Sequence, residues 1–308
     1  MKKGMKYKKE VDISERIAKF YVHKRGIQNW RKTMVKVILF SPRGYVGGYL
    51  KETLLKRKDV LLYEITRESN LESFEGDFDV FIYSASITAL RKEENQKYIR
   101  DNAMTASTMI EFCKLHNIKR MIYVSSDEIY GNINSCEVGE KAIMVEPNIY
   151  ALTKYLAEKM IIESGIPYYI LRLPAVVGRK WGNTFIYRLM ERVEQNQKLY
   201  MYNTDKDFNN LVDIEDLVRF IVLLAFMDDL KGNDIFLLGN CKKIKLREMV
   251  EYIKSMYHSE SEIYDITKGD ERYFTLDVTK AVNFGYQSKN IRNILRELYQ
   301  LRGCCNEK

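Results

Sequence analysis

Histidine is scarce in this 308-residue chain: only His23, His116 and His258 occur. Cysteine is nearly as rare and odd in number, with Cys113, Cys136, Cys241, Cys304 and Cys305 and no Cys-x-x-Cys spacing. Neither a zinc site nor a disulfide framework is legible from such a set, and free thiols fit a reducing cytoplasm, the expected location. No long apolar run is present either; the best, Ile221 to Phe226, is far too short to span a bilayer. Internal repeats and low-complexity linkers are absent as well.

A basic body is the next thing missing. The net charge of +8 has the look of a nucleic-acid footprint until it is located. Residues 1–33 hold eleven Lys/Arg against three acids, and the rest of the chain holds 39 of each sign. The body is therefore neutral and no nucleic-acid partner is expected. The leader lacks the apolar core of a secretory signal. Either it is a basic extension ahead of a body starting at Met34, or it is a short docking helix with Ile13, Ile17, Phe20 and Tyr21 on one face.

What is present is apolar content of 46%, ample for one large domain or two interwoven ones. Val35 to Phe40 reads as a strand running into Ser41-Pro-Arg-Gly-Tyr-Val-Gly-Gly48, with helix from Tyr49 to Leu55. Strands follow at Val60 to Ile65, Asp79 to Ser84, Arg120 to Ser125 and Tyr168 to Arg172. A long helix over about 93–115 and another opening at Tyr150 alternate with them. Such a series predicts an α/β fold of Rossmann type, a doubly wound parallel sheet with helices on both faces. Ligands of such sheets lie at the carboxyl ends of the strands, where Ser41, Arg67, Ser84, Ser126 and Arg172 all fall.

Gly44 and Gly47, between a strand and a helix, let backbone amides approach a pyrophosphate. Ser41 takes the first glycine position of a Gly-x-x-Gly-x-x-Gly turn, which requires a backbone not forced to positive φ. Arg43 in that turn and Arg67 at the second strand's end favour NADP, because guanidinium forks match a phosphate. Glu64 and Glu68 nearby keep NAD open.

Tyr150 and Lys154 stand four apart in Asn-Ile-Tyr-Ala-Leu-Thr-Lys and so share a helix face. A cation beside the phenol draws it toward neutrality and makes it a proton-transfer group. With 22 tyrosines and 31 lysines roughly two chance matches are expected, and Tyr155 with Lys159 is a second. Position selects Tyr150, which opens its helix after Pro147 and Asn148, downstream of Val-Ser-Ser-Asp-Glu-Ile-Tyr-Gly. Asp127 and Glu128 are either a polar loop start or an acid and base whose pKa values are pushed apart. His116, at a helix end, reads as a cap of carbonyls.

Together these residues resemble the extended short-chain dehydrogenase/reductase family, the NAD(P)-dependent nucleotide-sugar epimerases, dehydratases and reductases. The resemblance runs from about Met34 to Leu301 and includes Leu-Arg-Leu-Pro-Ala-Val-Val-Gly178 and Asn-Leu-Val-Asp-Ile-Glu-Asp216. It implies a dinucleotide-binding domain over 34–172, with 210–240 returning to it. Residues 173–209 and 241–308 would then build the nucleotide-sugar pocket, a smaller C-terminal substrate-binding region. Ser126 would hydrogen-bond the substrate, Tyr150 move its proton, and Lys154 hold the nicotinamide ribose and tune Tyr150. The cofactor would be met by Ser41, Arg43, Gly44, Tyr45, Val46, Gly47 and Arg67. Further contacts would come from Ser84, Ala85, Ser86, Asn102, Pro174 and Val176.

Arg43 and Arg67 resemble the GDP-fucose synthase type, whereas Ser126-Asp127-Glu128 resembles the 4,6-dehydratases. The family arginine that holds the diphosphate aligns with Asn209, so Lys206 or Arg179 is expected to replace it, with Trp181 and Asn183 nearby. A short core and that missing arginine favour epimerisation or reduction over dehydration. A non-catalytic NAD(P)-binding sensor is the rival from another class, although such proteins usually lose the Tyr/Lys pair. A homodimer is expected through the helices near 93–115 and 149–163, where Met104, Met109, Ile110, Leu156, Met160 and Ile161 give apolar character on more than one side.

Overall fold

The computed structural model describes residues 34–88, 91–180, 182–227, 232–266 and 272–306. The basic leader 1–33 and Trp181 lie outside the described residues. In chain order the elements begin with β1 (Val35–Phe40), α1 (Tyr45–Leu55), β2 (Val60–Ile65) and β3 (Val80–Tyr83). Next come α2 (Asn95–Tyr98), a π-helical segment (Ile99–Met104), α3 (Thr105–Leu115), β4 (Arg120–Ser126), α4 (Ile149–Glu163) and β5 (Tyr168–Leu173). The later part holds β6 (Ala175–Val177), α5 (Phe185–Glu194), β7 (Leu199–Met201), β8 (Asp207–Phe208) and β9 (Leu211–Asp213). It continues through α6 (Ile214–Phe226), β10 (Asp234–Leu237), β11 (Ile244–Lys245), α7 (Leu246–Tyr257), β12 (Ile263–Asp265), α8 (Thr279–Asn283) and α9 (Ile291–Asn306).

Six strands form one parallel sheet in the order β10-β5-β4-β3-β1-β2. Its strands are near-continuous apolar runs because both faces are covered. Along β1 the period of two sends Val35, Val37 and Leu39 to the face packed by α1 and α6, with Leu50, Leu54, Leu217 and Ile221. Ile38 and Phe40 point the other way, into a core with Met109, Ile110, Ala157 and Ile161 of α3 and α4. A separate cluster joins α5, α7 and α9 through Met190, Val193, Val250, Ile253, Ile294 and Leu298. Small strand pairs stitch that cluster together: β6 with β9, β8 with β11 and β7 with β12.

The expected long helix over 93–115 is interrupted by the π-helical segment, which gives way to regular α-helix at Thr105. Of the six residues that give the two helices apolar character on more than one side, Met109, Ile110 and Ile161 are spent in the core, while Met104 and Leu156 are exposed. His116 closes α3, with Nδ1 2.8 Å from the Gly76 carbonyl. Helix α4 starts at Asn148, whose side chain accepts a hydrogen bond from the Ala151 amide at 2.9 Å. That cap fixes where Tyr150 enters the helix.

Candidate functional site

The turn after β1 is tighter than its sequence predicts. Ser41 sits at φ 71, the left-handed region that the reading of this serine required it to avoid, so it holds a backbone better suited to glycine. The strain has a visible cause. A Cβ on Gly47 would lie 1.9 Å from the Ser41 carbonyl oxygen, so α1 is pressed against the turn. Gly44 forms the N-cap of α1 with no side-chain cap bond, leaving that helix end open to an anion. Ser41, Arg43, Gly44, Tyr45 and Val46 face a cavity of about 800 Å³, whereas Gly47 serves it from behind by permitting the close approach.

The same cavity runs along the carboxyl ends of the sheet. Its wall takes in Thr66, Arg67 and Glu68, then Ser84, Ala85 and Ser86, then Ser126, Asp127 and Glu128, and finally Tyr150, Lys154, Pro174 and Val176. Asn102 does not reach it. Its amide accepts from the Ile87 amide at 2.9 Å and donates to the Ile87 carbonyl and to Thr153 Oγ1, both at 3.2 Å. It is a clamp on the Ser84–Thr88 wall, 2% exposed, rather than a cofactor contact.

Tyr150 and Lys154 share a face of α4 as their spacing requires, but their electrostatics differ from expectation. Burial pushes the Tyr150 phenol up to about 12, opposed by hydrogen bonds from the Ser126 and Ser86 hydroxyls. The ammonium is directed elsewhere: Nζ donates to the Val124 carbonyl at 2.7 Å and lies 4.1 Å from the Tyr123 ring centroid. Burial brings Lys154 down to about 7, against the opposing pull of Glu158.

Asp127 and Glu128 occupy unlike environments. Burial, then the neighbouring Glu128, pushes Asp127 up to about 7, with Arg272 and Asn210 opposing. Glu128 accepts a hydrogen bond from Arg272 at 3.0 Å. Adjacent carboxyls with such different partners are suited to different proton-transfer roles.

At the cofactor corner Arg67 pairs with Asp101 at 3.3 Å, while Glu64 is engaged by Lys51 at 2.7 Å. The Glu68 carboxyl is held below the usual range by the Thr66 hydroxyl first, and by Arg43 and Arg67 among the weaker causes.

The substrate-side residues fare less well. Asn209 is 2% exposed and its amide is consumed by the Asn240 carbonyl and by both backbone groups of Leu276. Arg179 pairs with Glu215 at 3.2 Å and Lys206 lies over the Tyr273 ring at 5.6 Å. None of the three faces the cavity, and neither does the exposed Asn183. Sequence reading missed Arg91, Thr184, Phe185 and Arg188, all of which do. Thr184 stands at the N-cap position of α5 without a side-chain cap bond, and its buried Oγ1 has no hydrogen-bond partner among the described residues. Arg188, one turn later, has no ion pair among them. Their four-residue spacing was the available signal.

Several known proteins are similar to this chain. The uncharacterized UDP-glucose epimerase YtcB of Bacillus subtilis is 22% identical over 242 residues, covering 75% of this chain and 76% of that protein. The dTDP-D-glucose 4,6-dehydratase of Dictyostelium discoideum is 23% identical over 59% of this chain and 54% of its own length. Among solved structures, UDP-glucuronic acid 4-epimerase from Bacillus cereus in complex with NAD shares the fold. Its TM-score is 0.72 at 18% identity, over 87% of this chain and 99% of that one. RMD from Pseudomonas aeruginosa, complexed with NADPH, does so with a TM-score of 0.71 at 17% identity, over 86% and 99% of the two chains. Residues 35–239 match the profile of the NAD dependent epimerase/dehydratase family, and the chain is an enzyme belonging to it.

Proposed function

We propose that this enzyme acts on a nucleotide-linked sugar as an epimerase or reductase. The observation that carries the reading is one cavity with the open helix end at Gly44 on one side and Ser126, Tyr150 and Lys154 on another. The turn fits a dinucleotide, because Gly47 keeps side-chain atoms out of the space against Ser41 and the helix amides stay uncapped. When bound, a nicotinamide supplies hydride acceptance and return at a sugar carbon. Tyr150 takes or returns the proton of the sugar hydroxyl, and Ser126 orients that hydroxyl. Protonated Lys154 steadies the charge that develops on the phenol. NADP(H) is favoured over NAD by Arg43 and Arg67, and by the engagement of Glu64 with Lys51.

The substrate's diphosphate belongs at Arg188 and Thr184. The cofactor phosphates are served by the Ser41–Val46 turn, which leaves this cation for an anionic group of the substrate. Pairing of two copies through Ile99, Met104, Leu152 and Leu156, all exposed, would make a homodimer. A monomer in light scattering at micromolar concentration would refute that.

One observation favours dehydration as a second reading. Asp127, raised to about 7, retains a proton to donate to a leaving hydroxyl at neutral pH, which hydride transfer alone does not require. Incubation with a panel of nucleotide sugars and either nicotinamide cofactor, with products read by mass and by proton NMR for ring stereochemistry, separates these outcomes. Unchanged mass with altered stereochemistry marks an epimerase, and addition of two hydrogens with NADPH consumed marks a reductase. Loss of water, abolished in Asp127→Asn, establishes the dehydratase. No product from any sugar would overturn the proposal.

A further inference from the structure

Beneath the site lies a polar chain that the mechanism does not use. Tyr150, Lys154 and Glu158 stand at i, i+4 and i+8 on α4, so all three share one face. Glu158 is fully buried. It accepts a hydrogen bond from Ser125 Oγ at 2.5 Å, adjoining Ser126. Arg172 of β5 grips it from Nε at 3.2 Å and from Nη2 at 2.7 Å. The other guanidinium nitrogen of Arg172 donates to Tyr130 Oη at 2.9 Å and to the Glu140 carbonyl at 2.7 Å. A carboxylate and a guanidinium out of water are costly unless their geometry is satisfied on every side, as it is here.

Lys154 is 1% exposed and rests on a carbonyl and an aromatic face, neither of which carries a full charge. The titratable groups around it are Tyr150 and Glu158 on its own helix, Tyr123 of β4 beside its ammonium, Arg172 bound to Glu158, and Asp127 and Glu128 on the same cavity wall. Of these, Glu158 is the anion that acts on it, and burial works the other way. We propose that Glu158, fixed by Arg172 and Ser125, is a positioning residue that keeps Lys154 positively charged beneath Tyr150. Arg172 orients the carboxylate, Ser125 ties it to the strand that ends in Ser126, and Glu158 acts on the reaction only through Lys154. The catalytic consequence rests on the function proposed above; the charge of Lys154 does not.

The test reads that charge directly. Protein labelled with [ε-13C]lysine is titrated by NMR, with the Lys154 signal assigned by its loss in Lys154→Met. Glu158→Gln keeps the shape and removes the charge, and the Lys154 titration should move to lower pH by about one pH unit or more. Removing one partner of a buried pair can prevent folding. The double variant Glu158→Gln/Arg172→Met removes both charges while filling the space, and its Lys154 should also titrate below wild type. If a nucleotide sugar is turned over, the alkaline limb of the kcat profile should move down with the NMR midpoint. A Lys154 midpoint equal to wild type in the double variant overturns the proposal, whether or not any sugar reacts. Absence of turnover with a lowered midpoint overturns the proposed function and leaves the role of Glu158 standing.

Discussion

The two sides of the cavity are built on opposite terms. On the sheet side, Ser126, Tyr150 and Lys154 are 7%, 7% and 1% exposed and are held by hydrogen bonds among strands and helix. On the other side, Arg188 is exposed on α5, a helix whose core contacts come from the separate cluster with α7 and α9. Groups fixed by buried bonds arrive pre-organised for proton transfer, whereas an exposed arginine on an amphipathic helix can be exchanged with little effect on folding. On the proposed function, the chemistry is lodged in the rigid half and the choice of substrate in the half that tolerates change.

Tyr150→Phe tests the rigid half most severely. Turnover should fall by about 10²- to 10⁴-fold with the fold intact by circular dichroism, since only a proton-transfer hydroxyl is lost. Full activity would remove Tyr150 from the mechanism. Next in size is Asp127→Asn. Because the Asp127 pKa is raised to about 7, the folded state keeps a proton that the unfolded chain has already released, so stability falls as pH rises from about 4 to 7. The amide escapes that loss. It should stabilise the protein by on the order of 4 kcal/mol at pH 8 and leave it unchanged near pH 4 in urea unfolding. A difference independent of pH would contradict the assigned environment.

For the exchangeable half, Arg188→Met should raise KM for the nucleotide sugar about tenfold and spare kcat and cofactor affinity. A drop in kcat instead would place Arg188 with the rigid set. The smallest effect is expected at the cofactor turn. Ser41→Gly relieves a left-handed backbone worth about 1 to 2 kcal/mol and gives back roughly 0.5 to 1 in chain entropy. The net gain should be about 0.5 kcal/mol by urea unfolding; a loss would show that the serine side chain contributes more than its backbone costs.

Much of the sheet was legible because its strands are apolar runs bounded by polar turns, and β1 and β2 fall where the runs do. The π-helical segment was not, since nothing in Ile99–Met104 departs from a helical pattern and only Asn102's bonds to Ile87 and Thr153 show what that stretch holds in place. Arg188 escaped notice because a lone arginine on an amphipathic helix reads as a solvated face. Asn209 was misplaced because alignment fixes a position in the chain and not the direction of its side chain.

By itself the sequence determined the alternation of strands and helices, the neutral body, and the order of turn, serine and Tyr/Lys helix, because periodicity and spacing are local. Tertiary structure alone decided which charges stand out of water. Lys154 is brought to about 7 and Asp127 raised to about 7 by burial, and burial is a property of the packed chain. It likewise decided that Glu158 meets Arg172, a residue on a different element.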